Sequence, residues 1–303
     1  MKWRGRKRSS NIEDRRGASG GMFGRSTGLG GSGFRIPTGG RAGGGLGIGA
    51  IVIMLIIGMA LGINPLSLLD GSLGTGTSGN GSVSRPLPEA GEDDLADFVG
   101  VVVQDTEDLW TEVFVENGMT YVPATVVLFT DMSQSGCGMA DARTGPFYCP
   151  ADQSVYIDLA FYETLRSQFG APGDFAQAYV IAHEIGHHVQ NLTGVLPEYS
   201  RAIQSMSQEE ANAYSVRIEL QADCYAGVWA NYVGEENLLE SGDIEEAINA
   251  AEQIGDDAIQ SRTQGVVVPK TFTHGTSAQR QEWFERGYSG GDPGQCDTFS
   301  GAI

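Results

Sequence analysis

The stretch GDFAQAYVIAHEIGHHVQNL, residues 173–192, decides how the rest of the chain is read. It holds three of the chain's four histidines and a glutamate beside the first of them. Tyr179, Val180, Ile181, Ile185 and Val189 make it apolar, with Gly173 before it and Gly194 after it, so it reads as one long buried helix. With 3.6 residues per turn, His183 and His187 lie about 40° apart on one face, while His188 lies about 140° from His183. His183 and His187 are therefore the pair expected to hold a metal ion, and His188 points elsewhere. Glu184, next to the first of the pair, is placed to reach a metal-bound water. This is the H-E-x-x-H pattern of zinc hydrolases. Gly186, inside the motif, allows a neighbouring helix to come close. The blander alternative is a helix with surface histidines.

A catalytic zinc takes three protein ligands and one open position. No third histidine follows in NLTGVLPEYS, which excludes the metzincin spacing. The next helix offers RIELQADCYAG, residues 217–227, where Glu219 and Asp223 are four apart and share a face. Packed antiparallel on the first helix, it would bring Glu219 to the metal. Asp223 would then accept the free ring N–H of a ligating histidine. The alternative is an acidic solvated face, against which stand Leu220, Ala222, Cys224 and Ala226.

Working outward, the spacing predicts an amphipathic helix over 93–118, ended by Gly118, and a β-branched strand over 123–129. SVYIDLAF, 154–161, begins as a strand and runs into a helix. Ser207 and Glu210 form a capping box that opens a helix through about Tyr232. Further helices are expected over 243–262 and 277–288. Helix dominates over a small sheet, giving an α+β domain over 85–303. Its four cysteines, Cys137, Cys149, Cys224 and Cys296, are expected to form Cys137–Cys149 across a local loop, leaving Cys224–Cys296. Zinc ligation by cysteine is the alternative, and no C-x-x-C spacing supports it.

The charge is unevenly placed. Residues 1–41 carry ten Lys/Arg and two acids, a net +8, and the remainder is −27, for −19 in all. So acidic a body repels phosphates and argues against nucleic acid as a partner. Between head and body lies LGIGAIVIMLIIGMALGI, residues 46–63, without a charge. As a helix it would span about 27 Å, close to a bilayer core. The expectation is a disordered basic cytoplasmic head over 1–45, a transmembrane anchor over 46–64 and a flexible linker over 65–84. A cleaved signal peptide is the rival, with an unusually long basic region. Positive charge keeps the head in the cytoplasm, so the body lies outside the inner membrane, where disulfides form. KWRGRKR at the start would lie near anionic lipid heads or serve as a topology signal.

HEIGHH followed by ELQADCYAG, after KWRGRKRSSNIEDRRG and the apolar run, resembles the bacterial family described as putative neutral zinc metallopeptidases. The resemblance implies a zincin-like fold with the sheet beside the HExxH helix. It also implies a gluzincin-like ligand set of His183, His187 and Glu219 around Zn2+, Glu184 as general base and Asp223 behind a ligand. THGTSAQR, 273–280, is similar to the late histidine–arginine segment of membrane-associated gluzincins. That similarity gives His274 and Arg280 a catalytic role at the oxyanion, although Gly275 and Thr276 stand where prolines are usual. A surface histidine capping a helix is the alternative. The expected activity is a membrane-anchored, zinc-dependent peptidase acting on peptides or proteins, with SVYID pairing to an extended substrate. The alternatives are a non-catalytic, zinc-stabilised envelope protein that binds a partner, and hydrolysis of a non-peptide amide.

Overall fold

In a computed structural model, the structure describes residues 1–17, 91 and 93–303. The runs at 46–63 and 65–84 lie outside them. Among the described residues no helix is long and apolar enough to cross a membrane.

The architecture is α+β and mostly helical. The strands are β1 (Ile12–Asp14), β2 (Thr125–Phe129), β3 (Met132–Ser135), β4 (Gly138–Asp141), β5 (Phe147–Cys149) and β6 (Ser154–Asp158). The helices are α1 (Asp94–Glu116), α2 (Phe161–Ser167), α3 (Asp174–Leu192), α4 (Val195–Ala202), α5 (Gln208–Glu235), α6 (Asp243–Gln253), α7 (Asp256–Gln264) and α8 (Ser277–Gly290). One sheet runs β1-β2-β6-β5, with β5 antiparallel to β6 and the other pairs parallel; β3 and β4 form a separate hairpin. Alternation splits β2 and β6 between two cores. Val126, Leu128, Val155 and Ile157 face the helices, while Val127, Phe129 and Tyr156 face Cys137, Ala140, Phe147 and Cys149. The Cys137–Cys149 disulfide ties the hairpin to β5, and Cys224–Cys296 ties the C-terminal segment to α5. The expected pairings hold.

Helix α5 opens on the expected capping box at Ser207 and Glu210. It packs on α3, where a Cβ on Gly186 would stand 3.2 Å from the backbone of Ala222. Its other side takes α8 at closer range. A Cβ on Gly227 would meet the Phe284 carbonyl oxygen at 2.1 Å, and one on Gly287 the Cys224 carbonyl oxygen at 2.0 Å.

Three expectations need correction. SVYID is interior, flanked by β2 and β5, so its backbone is already paired and the edge beside the helices is β5. The helix expected over 243–262 breaks at Ile254–Gly255 into α6 and α7. A Cβ at Gly255 would lie 2.4 Å from Ser277 N, and the break lets Asp256 accept the backbone N–H groups of Thr273, His274 and Gly275. Finally, residues 1–17 of the head expected to be disordered are folded onto the body. β1 pairs with β2, Trp3 meets Phe98 edge-on at 5.7 Å, and Arg4, Arg6 and Arg8 bind Asp94, Asp105 and Asp97. The charges that made the head look unfoldable are complementary to the acidic body.

Candidate metal centre and active site

Helix α3 is buried along one whole stretch, from Ala178 through Gln190, because its turns are enclosed by the sheet, α1, α5 and α6. His183 and His187 project from it toward α5, with ring centroids 4.8 Å apart. Glu219 faces them: its oxygens lie 3.2 Å from His183 Nε2 and 3.6 Å from His187 Nε2. One ligand atom from each of these three residues fits within a 4.8 Å circle. A second carboxylate trio, Asp174, Asp243 and Glu246, is as compact, but the Met1 amino group lies 2.8 Å from Asp174 and 3.3 Å from Asp243.

The outer partners fix both rings. His183 Nδ1 donates to Asp223 at 2.9 Å, which leaves Nε2 toward Glu219. Asp223 is fully buried and also accepts from Tyr179 Oη at 2.5 Å and from Arg280 Nε and Nη2 at 2.8 and 2.9 Å. Burial pushes Asp223 up, but Arg280 and His183 outweigh it and hold the carboxyl at about 2. His187 Nδ1 donates to Gln190 Oε1 at 2.8 Å; Gln190 in turn donates to the Ile218 carbonyl and to Gln221, and Gln221 donates to the Cys296 carbonyl. Gln190 was not singled out in the sequence, and Tyr179 was read there only as part of the apolar run. The visible signal for Gln190 is a glutamine three residues after a ligand, within an apolar run.

His188 stands apart, as its angle requires. Its Nε2 donates to the Val122 carbonyl at 2.7 Å and its Nδ1 accepts from Tyr148 Oη at 3.0 Å. Burial lowers its basicity, so it ties α3 to β5 as a neutral ring. Glu184 is buried beside the trio. Burial raises its carboxyl above the usual range against the pull of His187 and His183.

An open cleft leads to these groups. Its apolar walls are Pro146, Phe161, Phe169, Val180, Ile254 and Ile259, and its polar floor includes His183, Glu184, Glu219, His274 and Arg280. His274 Nδ1 faces Thr273 Oγ1 at 3.1 Å and Asp256 at 3.4 Å. Arg280 reaches the site, but its donors go to Asp223, the Tyr179 hydroxyl and the Ile254 carbonyl.

A family model described as "Putative neutral zinc metallopeptidase" matches residues 1–299. The chain belongs to that family. Uncharacterized protein YpfJ of Escherichia coli K12 is 46% identical over 305 aligned residues, covering the whole of both chains. Uncharacterized protein Mb2605 of Mycobacterium bovis is 50% identical over 186 residues, 58% of this chain and 62% of its own. No solved structure matches.

The zinc that the family name implies fits the residues present. His183, His187 and Glu219 offer two imidazole nitrogens and one carboxylate, a donor set that suits zinc with a position left open. Among the described residues, His187 Nε2 and Glu184 Oε2 are buried without a hydrogen-bond partner, although buried polar atoms normally find one. The ligand on His187 Nε2 would be the ion itself. For Glu184, which projects beside the trio rather than into it, the partner would be a water or substrate group. Asp223 and Gln190 each fix a ring tautomer, as partners behind a metal ligand do.

Proposed function

We propose that this family member is a zinc-dependent, gluzincin-like peptidase with a zincin-like active-site layout, and that its body works outside the cytoplasm. The observation that carries the catalytic reading is Glu184. It is buried, lies outside the candidate trio and, among the described residues, keeps one oxygen unpartnered beside it. A zinc that only stabilised the fold would need no such group, whose burial costs stability. The two disulfides support an oxidising compartment.

Bound zinc would supply Lewis acidity, acidifying a coordinated water and polarising a carbonyl. Glu184 takes the water's proton and returns it to the leaving amine; a carboxyl raised above its usual range is a better match to that transfer near neutral pH. His274, held through Nδ1 by Asp256, donates to the oxygen that gains charge. Arg280 acts one step back. It neutralises Asp223, which orients His183. An extended peptide adds to the outer edge of β5, whose preceding Pro146 borders the cleft. The apolar walls favour a large hydrophobic side chain next to the cleaved bond.

The test is Glu184→Gln, measured for metal content and for cleavage of a peptide library. The amide fills the same space, so zinc should stay bound and the fold intact. It cannot accept a proton, so cleavage should fall by at least about 100-fold. Cleavage at the wild-type rate would remove Glu184 as the base.

A further inference from the structure

We infer that residues 1–17 are a built-in strand and strap of the catalytic body and lie on the same side of any membrane as residues 93–303. The apolar run at 46–63 then does not separate the two. This replaces the arrangement with a cytoplasmic head and an external body.

The contact is a folded interface at every level. β1 supplies the outer neighbour of β2, with Ile12, Glu13 and Asp14 opposite Val126, Val127 and Leu128. Val126 N donates to Asn11 O at 2.8 Å and Arg15 N to Leu128 O at 2.7 Å. Without β1, the edge of a strand buried from Val126 to Phe129 would lose its backbone partners. The arginines then read one helix. Arg4, Arg6 and Arg8 bind Asp94, Asp105 and Asp97 of α1, and Arg16 binds its N-cap Asp93 at 2.6 Å. The Arg6 pair is bidentate, at 2.6 and 2.8 Å, on a carboxylate only 2% exposed. Removing the head would take away the guanidinium that pairs with this carboxylate. Glu107 accepts from Ser9 Oγ and Asn11 Nδ2 at 2.6 and 2.9 Å. Gly100 leaves room for the Arg8 stem, since a Cβ there would stand 3.0 Å from Arg8 Cβ, and its carbonyl accepts from Ser9 N.

Helix α1 belongs to the main core through Phe98, Val99, Val102 and Val103. Head and body are therefore two parts of one sheet-and-helix unit. A single membrane crossing between residues 17 and 93 would place those parts in different compartments. Exchange between copies does not help, because every copy would carry its head on the same wrong side.

Two measurements on the full chain test this, and neither depends on zinc or cleavage, so a failure here leaves the peptidase reading standing. All four native cysteines are in disulfides, so single thiols can be placed at two exposed positions, Ser10→Cys in the head and Glu112→Cys in the body. In intact spheroplasts, a membrane-impermeant maleimide should label both or neither. One thiol labelled before permeabilisation and the other only after it would overturn the inference. On the purified full chain, hydrogen exchange at the amides of Ser9 and Arg15 should be slow to the same extent as in β6. Free exchange at those two amides, with β6 protected, would overturn the docking.

Discussion

At the scale of single residues, any metal at the candidate trio competes with protons. Burial pulls the metal-free His183 ring down, but the charge and hydrogen bond of Asp223 and the bond to Glu219 outweigh it, and the ring is pushed up to about 10. A group raised in this way holds its proton below that value, so at pH 6–8 a zinc ion bound as proposed would have to displace a proton from His183. Each unit of rising pH over that range should therefore tighten zinc binding about tenfold through this group. A competition titration against a chelator of known affinity, run at several pH values, reads the slope. An affinity independent of pH would mean that the His183 ring is already neutral. The juxtaposition of His183 and His187 on α3 was legible from spacing, because a four-residue step on a helix fixes a shared face. The arginine was legible in position but not in task. Which acid a guanidinium meets depends on how α8 lies on α5, and it meets Asp223.

At the scale of elements, the site depends on how closely two helices cross. Gly227 and Gly287 let α5 and α8 touch backbone to backbone, and α8 delivers Arg280 to Asp223 across that contact. Gly287→Ala would press a methyl against the Cys224 carbonyl, and should cost about 1–3 kcal/mol or more in denaturant unfolding. Gly234→Ala is the control in α5, because there the new methyl meets only the flexible end of Leu239 at 3.2 Å. It should be neutral or stabilise by up to about 1 kcal/mol through helix propensity. Equal losses in the two variants would mean that the close crossing is not what Gly287 serves. The long helices were readable from their caps and apolar period. The strands β3, β4 and β5 were not, because each is only three or four residues long and two lie in a polar, Gly-rich stretch.

At the scale of the whole molecule, the C-terminal segment is tied to the helix that carries Glu219. The C-terminal segment is fixed to α5 by Cys224–Cys296, 72 residues apart, and the Cys296 carbonyl ends the hydrogen-bond series that starts at His187. Replacing both cysteines by serine should lower stability by about 4 kcal/mol on loop entropy and also weaken zinc binding. Thermal unfolding of the metal-free chain and chelator competition separate the two effects. Unchanged zinc affinity alongside the stability loss would disconnect the tail from the metal centre. Helical period and capping are local properties, so the helix of the candidate ligands, the face shared by His183 and His187, the second acidic helix and the α+β class were all legible in the sequence. Only the tertiary structure decided which strand forms the open edge, what Arg280 binds, and that residues 1–17 belong to the body. Those depend on which distant groups meet, and a run of arginines carries no local sign of the carboxylates, about ninety residues away, that complete it.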